Sequence, residues 1–155
     1  MGKTIKGLFK PRNVKKYKGD PTKIIYRSSW ECRFMMYLDA NPSVIEWASE
    51  EFSIPYVSPV DGKIHRYFPD FWMKVRDATT SQIKTIVVEI KPKVQTQPPQ
   101  PSKNKTKRYI NEVITWGINS AKWDAATEYC KDRKWDFKIL NEYDLGIAND
   151  FSRPA

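Results

Sequence analysis

Side chains that bind soft metals or carry redox chemistry are scarce in this chain. Its 155 residues include one histidine, His65, and two cysteines, Cys32 and Cys130, far apart in sequence. That spacing excludes a zinc knuckle or a local redox pair, and both cysteines read as reduced thiols of an intracellular protein. Long apolar runs are missing too; none approaches the roughly 20 residues that a membrane-spanning helix needs. The basic stretch 1–10 lacks the apolar centre of a signal peptide, and Lys6 stands where a myristoylation motif needs Ser or Thr. Acidic residues are in deficit, with 18 Asp and Glu against 27 Lys and Arg, a net charge of +9. Such a surplus points to an anionic partner, nucleic acid above all; the plainer alternative is a merely soluble basic surface. Aromatics are plentiful, at 14% of residues with six tryptophans. That load excludes disorder for most of the chain and suits one domain with a real core.

Residues 3–23 combine many lysines and arginines with two prolines and two glycines. They read as an extended basic arm with little core. Lys15 and Lys16 would meet a phosphate backbone there, unless the arm is simply a solvated tail. Residues 24–148 form a single domain, and 149–155 read as a loose tail. Ser28 with Glu31 three residues on is a capping box, opening a helix that Asn41-Pro42 stops. Trp30, Phe34, Met35, Tyr37 and Leu38 form its apolar arc at about 100° per residue. Asp61-Gly62 marks a hairpin that pairs a strand over 52–57 with one over 64–75. Residues 84–91 are a β-branched third strand. The stretch 92–108, first rich in Pro and Gln and then basic, reads as an exposed loop or flap. Its Lys103, Lys105, Lys107 and Arg108 suit a polyanion, although a solvated linker has the same composition. A long helix begins near Asn111, with Ile110, Ile114, Ile118, Ala121, Ala125 and Tyr129 as its core stripe and Gly117 allowing close approach to the sheet. Residues 135–140 are the last strand, reached by a crossover, and 141–146 form a short terminal turn of helix.

The chemistry concentrates between Tyr67 and Lys91. The first run reads Tyr67-Phe68-Pro69-Asp70-Phe71-Trp72, and the second reads Val87-Val88-Glu89-Ile90-Lys91. Strand side chains alternate, so Glu89 and Lys91 share a face, and Asp70 falls between Phe68 and Trp72. Pro69 cannot donate to a ladder and marks a bulge that re-aims Asp70. Pairing of the two runs would set Asp70 beside Glu89. Two carboxylates and an ammonium would then form one patch, suited to a divalent metal and a phosphate. The alternatives are a turn role for Asp70 and a surface ion pair for Glu89 and Lys91. Glu31 falls within the apolar arc of the first helix. It is either paired, protonated or metal-bound there, or it only caps backbone amides. His65 is either a phosphate contact or a structural side chain.

The order helix, three-strand meander, helix, strand, with Glu31, Asp70, Glu89 and Lys91 in place, resembles the PD-(D/E)xK nuclease superfamily. The resemblance implies an α/β, restriction-endonuclease-like fold: a central mixed sheet of four to five strands flanked by helices. Ser-x-x-Glu at 28–31, Tyr-x-Pro-Asp-Phe at 67–71 and Val-x-Glu-x-Lys at 87–91 are similar to the endonuclease subunits of heteromeric transposases. The whole chain is closer still to nucleases of large contractile-tailed bacteriophages that act in virion assembly.

What the resemblance implies is hydrolysis of DNA phosphodiester bonds with Mg2+, Mn2+ being a substitute. Glu31, Asp70, Glu89 and Lys91 would be catalytic. Glu31, Asp70, Glu89 and the Ile90 carbonyl would hold the metal, while Lys91 orients water or offsets charge at phosphorus. Arg66, Tyr67 and Lys107 would touch substrate. Implied partners are double-stranded DNA and phage head, portal or neck proteins, with a homodimer left open and no membrane. The implied setting is the host cytoplasm during assembly, with virion association open. No separate reader domain remains, so binding through backbone and DNA shape is expected. The competing class is a non-catalytic basic adaptor for DNA or a portal. An RNA-binding module has no RNP-type aromatic motif behind it.

Overall fold

The computed structural model describes residues 6–146. The tail expected over 149–155 and the first residues of the expected arm lie outside them. In chain order the elements are β1 (Gly7–Leu8), β2 (Ile25–Tyr26), α1 (Ser29–Ala40), β3 (Val44–Ser49), β4 (Ile54–Val57) and β5 (Ile64–Tyr67). Then come β6 (Phe71–Arg76), β7 (Ile83–Ile90), α2 (Lys107–Asp132) and β8 (Asp136–Leu140). The central sheet has four strands in the order β3-β6-β7-β8. Strand β6 runs antiparallel to β3 and β7, and β8 runs parallel to β7 after the α2 crossover. This is the mixed sheet that the restriction-endonuclease-like fold requires.

Alternation along β7 sends its side chains into two cores. Ile86, Val88 and Ile90 join Phe34, Met35 and Leu38 of α1, with Trp47 and Phe71. On the opposite face Trp123 and Ala126 of α2 pack with Ile54, Tyr56 and Tyr67, and with Phe137 and Ile139 of β8. The helices therefore cover opposite faces of the sheet. Phe71 and Trp47 are completely buried. Truncating either to Ala would cost about 3–5 kcal/mol through lost transfer energy and the cavity left behind.

Helix α1 begins as expected, with Ser28 Oγ accepting the Glu31 backbone N–H at 3.1 Å. It ends at Asn41, whose N–H still reaches the Tyr37 carbonyl at 2.9 Å before Pro42 breaks the run. Tyr37 departs from the expected arc. It is exposed and only stacks on Phe34, because the arc facing the sheet is narrower than the apolar run.

The basic stretch is not an extended arm over residues 6–23; it is folded onto the domain. Strand β1 pairs with β2. Tyr17 is buried edge-on against Trp47 at 4.7 Å. Its hydroxyl donates to Glu51 Oε2 at 2.6 Å and accepts the Ser49 N–H at 3.2 Å. The N–H groups of Arg12 and Asn13 donate to the buried Asp39 carboxylate at 2.9 and 3.0 Å. Lys16 Nζ donates to the carbonyls of Asp39 and Asn41, at 3.0 and 2.8 Å. Those groups stand at the C-terminal end of α1, where carbonyls lack helical partners.

The expected strand over 64–75 is two strands in two sheets. Its first half, β5, pairs with β4 across the Asp61-Gly62 turn, and its second half, β6, joins the central sheet. Phe68, Pro69 and Asp70 make the link. Pro69 has no N–H to give either ladder, so the chain changes sheet there instead of bulging.

Helix α2 starts at Lys107, earlier than expected, because Thr106 caps it by accepting the Tyr109 N–H at 3.1 Å. Of its expected core stripe, Ile118, Ala121, Ala125 and Tyr129 pack half-buried against the second core. Asn119, Trp123, Ala126 and Cys130 are buried, whereas Ile110 and Ile114 are exposed. The apolar periodicity of the first turns therefore runs on beyond that core. A Cβ added at Gly117 would meet only the Pro59 ring, at an ordinary 3.8 Å, so Gly117 is not a point of close approach to the sheet. Residues 142–146 form hydrogen-bonded turns and no helix.

Candidate active site

Asp70 lies just before β6, and the next residue, Phe71, is in register with Val88. The ladder thus brings Asp70 alongside Glu89, as the sequence predicts. The Ile90 N–H donates to Asp70 Oδ2 at 2.8 Å. Glu89 is buried, and its Oε1 accepts the Tyr67 hydroxyl at 2.7 Å. Lys91 Nζ stands 4.0 Å from Glu89 Oε2. Each carboxylate thus commits one oxygen to a protein donor, leaving Asp70 Oδ1 and Glu89 Oε2 for other work.

Burial raises the Asp70 carboxyl well above the usual carboxylate range, and the neighbouring Glu89 charge adds to the rise. Glu89 is also raised by burial, with the Tyr67 hydroxyl and then Lys91 opposing the shift. Two enclosed carboxylates whose closest ammonium, that of Lys91, stands 4.0 Å away are short of positive charge. Hard oxygen donors of this kind fit a cation such as Mg2+, which is commonly bound by one or two carboxylates and retains several waters.

Glu31 is half-buried, and burial raises its carboxyl too. Its Oε1 accepts the Arg27 N–H at 3.3 Å rather than that of Ser28, so the capping box is only half closed. The charges of Glu50 and Glu89 both act on it. Among the described residues, however, no three His, Cys, Asp or Glu side chains converge closely enough to hold an ion. Glu31 is within electrostatic reach of the Asp70–Glu89 pair without completing a ligand cluster.

Three further residues serve this region, and the sequence reading missed them. Glu50 adopts a left-handed backbone with φ of 52°, and its N–H donates to the Asp70 carbonyl at 3.2 Å. Arg27 Nε sits 3.4 Å from Glu50 Oε2, so Arg27 serves Glu31 with its backbone and Glu50 with its side chain. Lys122 on α2 holds its ammonium 5.7 Å from the Tyr67 ring centroid and 5.9 Å from that of Tyr56. Its charge favours the ionised form of Glu89. Only Lys122 had a sequence signal, as a cation on a long helix, and nothing distinguished it from its neighbours.

The expected DNA contacts divide. Tyr67 is buried, so it does not face substrate; its hydroxyl is spent on Glu89. Lys16 is occupied by the end of α1, while Lys15 is exposed. Arg66 is exposed, with its guanidinium 5.5 Å from the Phe68 ring. Lys103, Lys105, Lys107 and Arg108 are exposed at the approach to α2 and in its first turn. His65 pairs with Asp61 at 2.8 Å across the hairpin turn.

A fold with a four-stranded mixed sheet, an acidic pair at adjacent strand ends and a following lysine is that of a PD-(D/E)xK nuclease. Residues 41–142 match the family model described as TnsA-like endonuclease N terminal, and the chain belongs to that family. The match takes in Asp70, Glu89 and Lys91; Glu31 precedes it. The chain is also similar to the head completion nuclease of Enterobacteria phage T4, at 45% identity over 140 residues, which cover 88% of this chain and 90% of that protein.

Proposed function

We propose that this nuclease is a Mg2+-dependent deoxyribonuclease that trims or cuts packaged phage DNA during head completion and head–tail joining. The observation that carries the chemistry is the Asp70–Glu89 pair, enclosed at adjacent strand positions with Lys91 beside it. The assembly role rests on the similarity to the phage T4 protein. Double-stranded DNA is the substrate, consistent with the net charge of +9. Head, portal or neck proteins are the docking partners, reached in the host cytoplasm as the virion is built.

Asp70, Glu89, the Ile90 carbonyl and Glu31 would hold the cation. A divalent cation there supplies Lewis acidity at the scissile phosphate. Lys91 orients the attacking water and offsets charge developing on the phosphoryl oxygens. Exposed Lys15, Arg66, Lys103, Lys105, Lys107 and Arg108 hold the DNA backbone, where contacts position the duplex without reading its sequence.

Incubation with linear and circular double-stranded DNA, with and without Mg2+, tests this reading. Wild type should cut only with the metal, and Asp70→Ala and Lys91→Ala should not cut. Cleavage of the circle would establish endonuclease action. Binding without turnover in any divalent metal would instead make the protein an adaptor.

A further inference from the structure

Helix α2 is longer than the sheet it crosses. Glu112, Thr115, Asn119, Trp123, Ala126 and Cys130 recur at steps of three and four, and so share one face. The C-terminal part of that face is core. Its N-terminal part lines a groove of about 890 Å3, whose other wall is the Pro- and Gln-rich loop after β7. The groove is built from segments that adjoin the site in sequence. Val94, in its wall, follows Lys91 by three residues, and Asn119 precedes Lys122 by three. Trp116, also in the wall, stacks edge-on with Trp123 at 6.0 Å, and Trp123 packs in the cluster that holds Tyr67.

The lining has an unusual composition. Five residues with carboxamide side chains line it, Gln95, Gln97, Gln100, Asn111 and Asn119, and none of those side chains makes a hydrogen bond among the described residues. Asn119 is mostly buried, and its amide still reaches the solvent of the groove. Flat apolar surfaces come from Pro98, Pro99 and Trp116. Lys107 and Arg108 add positive charge, and the only carboxylate in the lining, Glu112, is held by Arg108 at 3.2 Å. Between Glu89 and Glu112 the chain has six lysines and arginines and no acidic residue.

Carboxamides donate and accept together, as the edges of unpaired bases require. Aromatic and prolyl faces stack bases, and cations follow phosphates. A groove of about 890 Å3 has room for a short run of nucleotides. We propose that it binds an unpaired DNA strand running from the scissile phosphate, so that the substrate is a duplex with a frayed or single-stranded tail. This inference builds on the nuclease reading and names the form of its substrate.

The test uses the full chain in EDTA, where no cleavage competes. Affinity is measured for blunt duplexes and for duplexes with a single-stranded tail carrying 5-bromodeoxyuridine, which is then photo-crosslinked and mapped. The tail should tighten binding about tenfold, the effect of roughly one stacked base. Crosslinks should fall within residues 93–100 or 107–119. Trp116→Phe, and the exposed pair Gln97→Ala with Gln100→Ala, should lower the tail preference without loss of fold by circular dichroism. Equal affinity for tailed and blunt DNA, or crosslinks confined to other segments, overturns the proposal, as would a groove that takes a virion peptide instead. Parallel Mg2+ reactions separate the two readings. Cutting without tail preference leaves the nuclease and removes the groove; tail binding without cutting does the reverse.

Discussion

The Tyr67 hydroxyl donates to Glu89 Oε1 at 2.7 Å inside the protein. This bond joins the β4–β5 hairpin to the central sheet at Glu89, the residue proposed to ligate the metal. It fixes which way the carboxylate faces. Tyr67→Phe keeps the ring and its packing but removes the donor. The variant should fold, and the Mg2+ concentration for half-maximal cleavage should rise about 10-fold or more, as for other partners that orient metal ligands. A metal titration of cleavage rate measures this, and an unchanged midpoint would sink the positioning role.

Asp70→Asn should stabilise the metal-free protein at neutral pH. Burial and the Glu89 charge raise the Asp70 carboxyl in the folded state. The native state therefore binds this proton more tightly than the unfolded chain does. Its ionisation costs nothing below the ordinary carboxylate range, costs more as pH climbs towards the raised value, and costs its full amount above it. Asparagine can still accept from the Ile90 N–H and carries no charge. Melting in EDTA at pH 7 should therefore come at a higher temperature for the variant than for wild type. The gain should vanish near pH 4, and added Mg2+ should narrow it by stabilising wild type alone.

Lys122→Gln should move the acid limb of the pH–rate profile to higher pH, whereas Lys122→Arg should leave it near wild type. The Lys122 charge favours ionised Glu89, so its removal lets Glu89 hold its proton to higher pH. A uniform fall in rate across pH, with no displacement of the limb, would make Lys122 a packing residue only.

Tyr17→Phe should lower stability by about 1–2 kcal/mol, because the buried hydroxyl serves both Glu51 and the Ser49 N–H. The same variant should expose residues 6–23 to trypsin faster than wild type. Equal digestion rates would show that this segment is held by other contacts.

Local signals made much of the fold legible. Ser28, Asn41-Pro42 and Asp61-Gly62 placed α1 and the first hairpin, since caps and turns act within a few residues. The pairing of Asp70 with Glu89 followed from strand register. What stayed hidden depended on distant partners. Tyr17 looked like an aromatic in a basic tail because Trp47, Ser49 and Glu51 lie some thirty positions on. Ile110 and Ile114 continue the stripe that packs at Ile118, Ala121, Ala125 and Tyr129, but they stand in turns beyond that core and are exposed. Glu50 and Arg27 drew no notice because their roles rest on a left-handed backbone and a bond to the Asp70 link.

The strand connections carry a consequence for how the protein assembles. Strands β6 and β7 are joined by a short turn, but β8 must wait for the loop and all of α2 before it can add in parallel to β7. Closing a short antiparallel hairpin is fast, and a long parallel crossover is slow. The two acidic groups of the site are thus expected to meet while one edge of the sheet is still bare. A chain caught at that stage would already expose a chelating hairpin, so divalent cations should change the rate of refolding as well as the final stability.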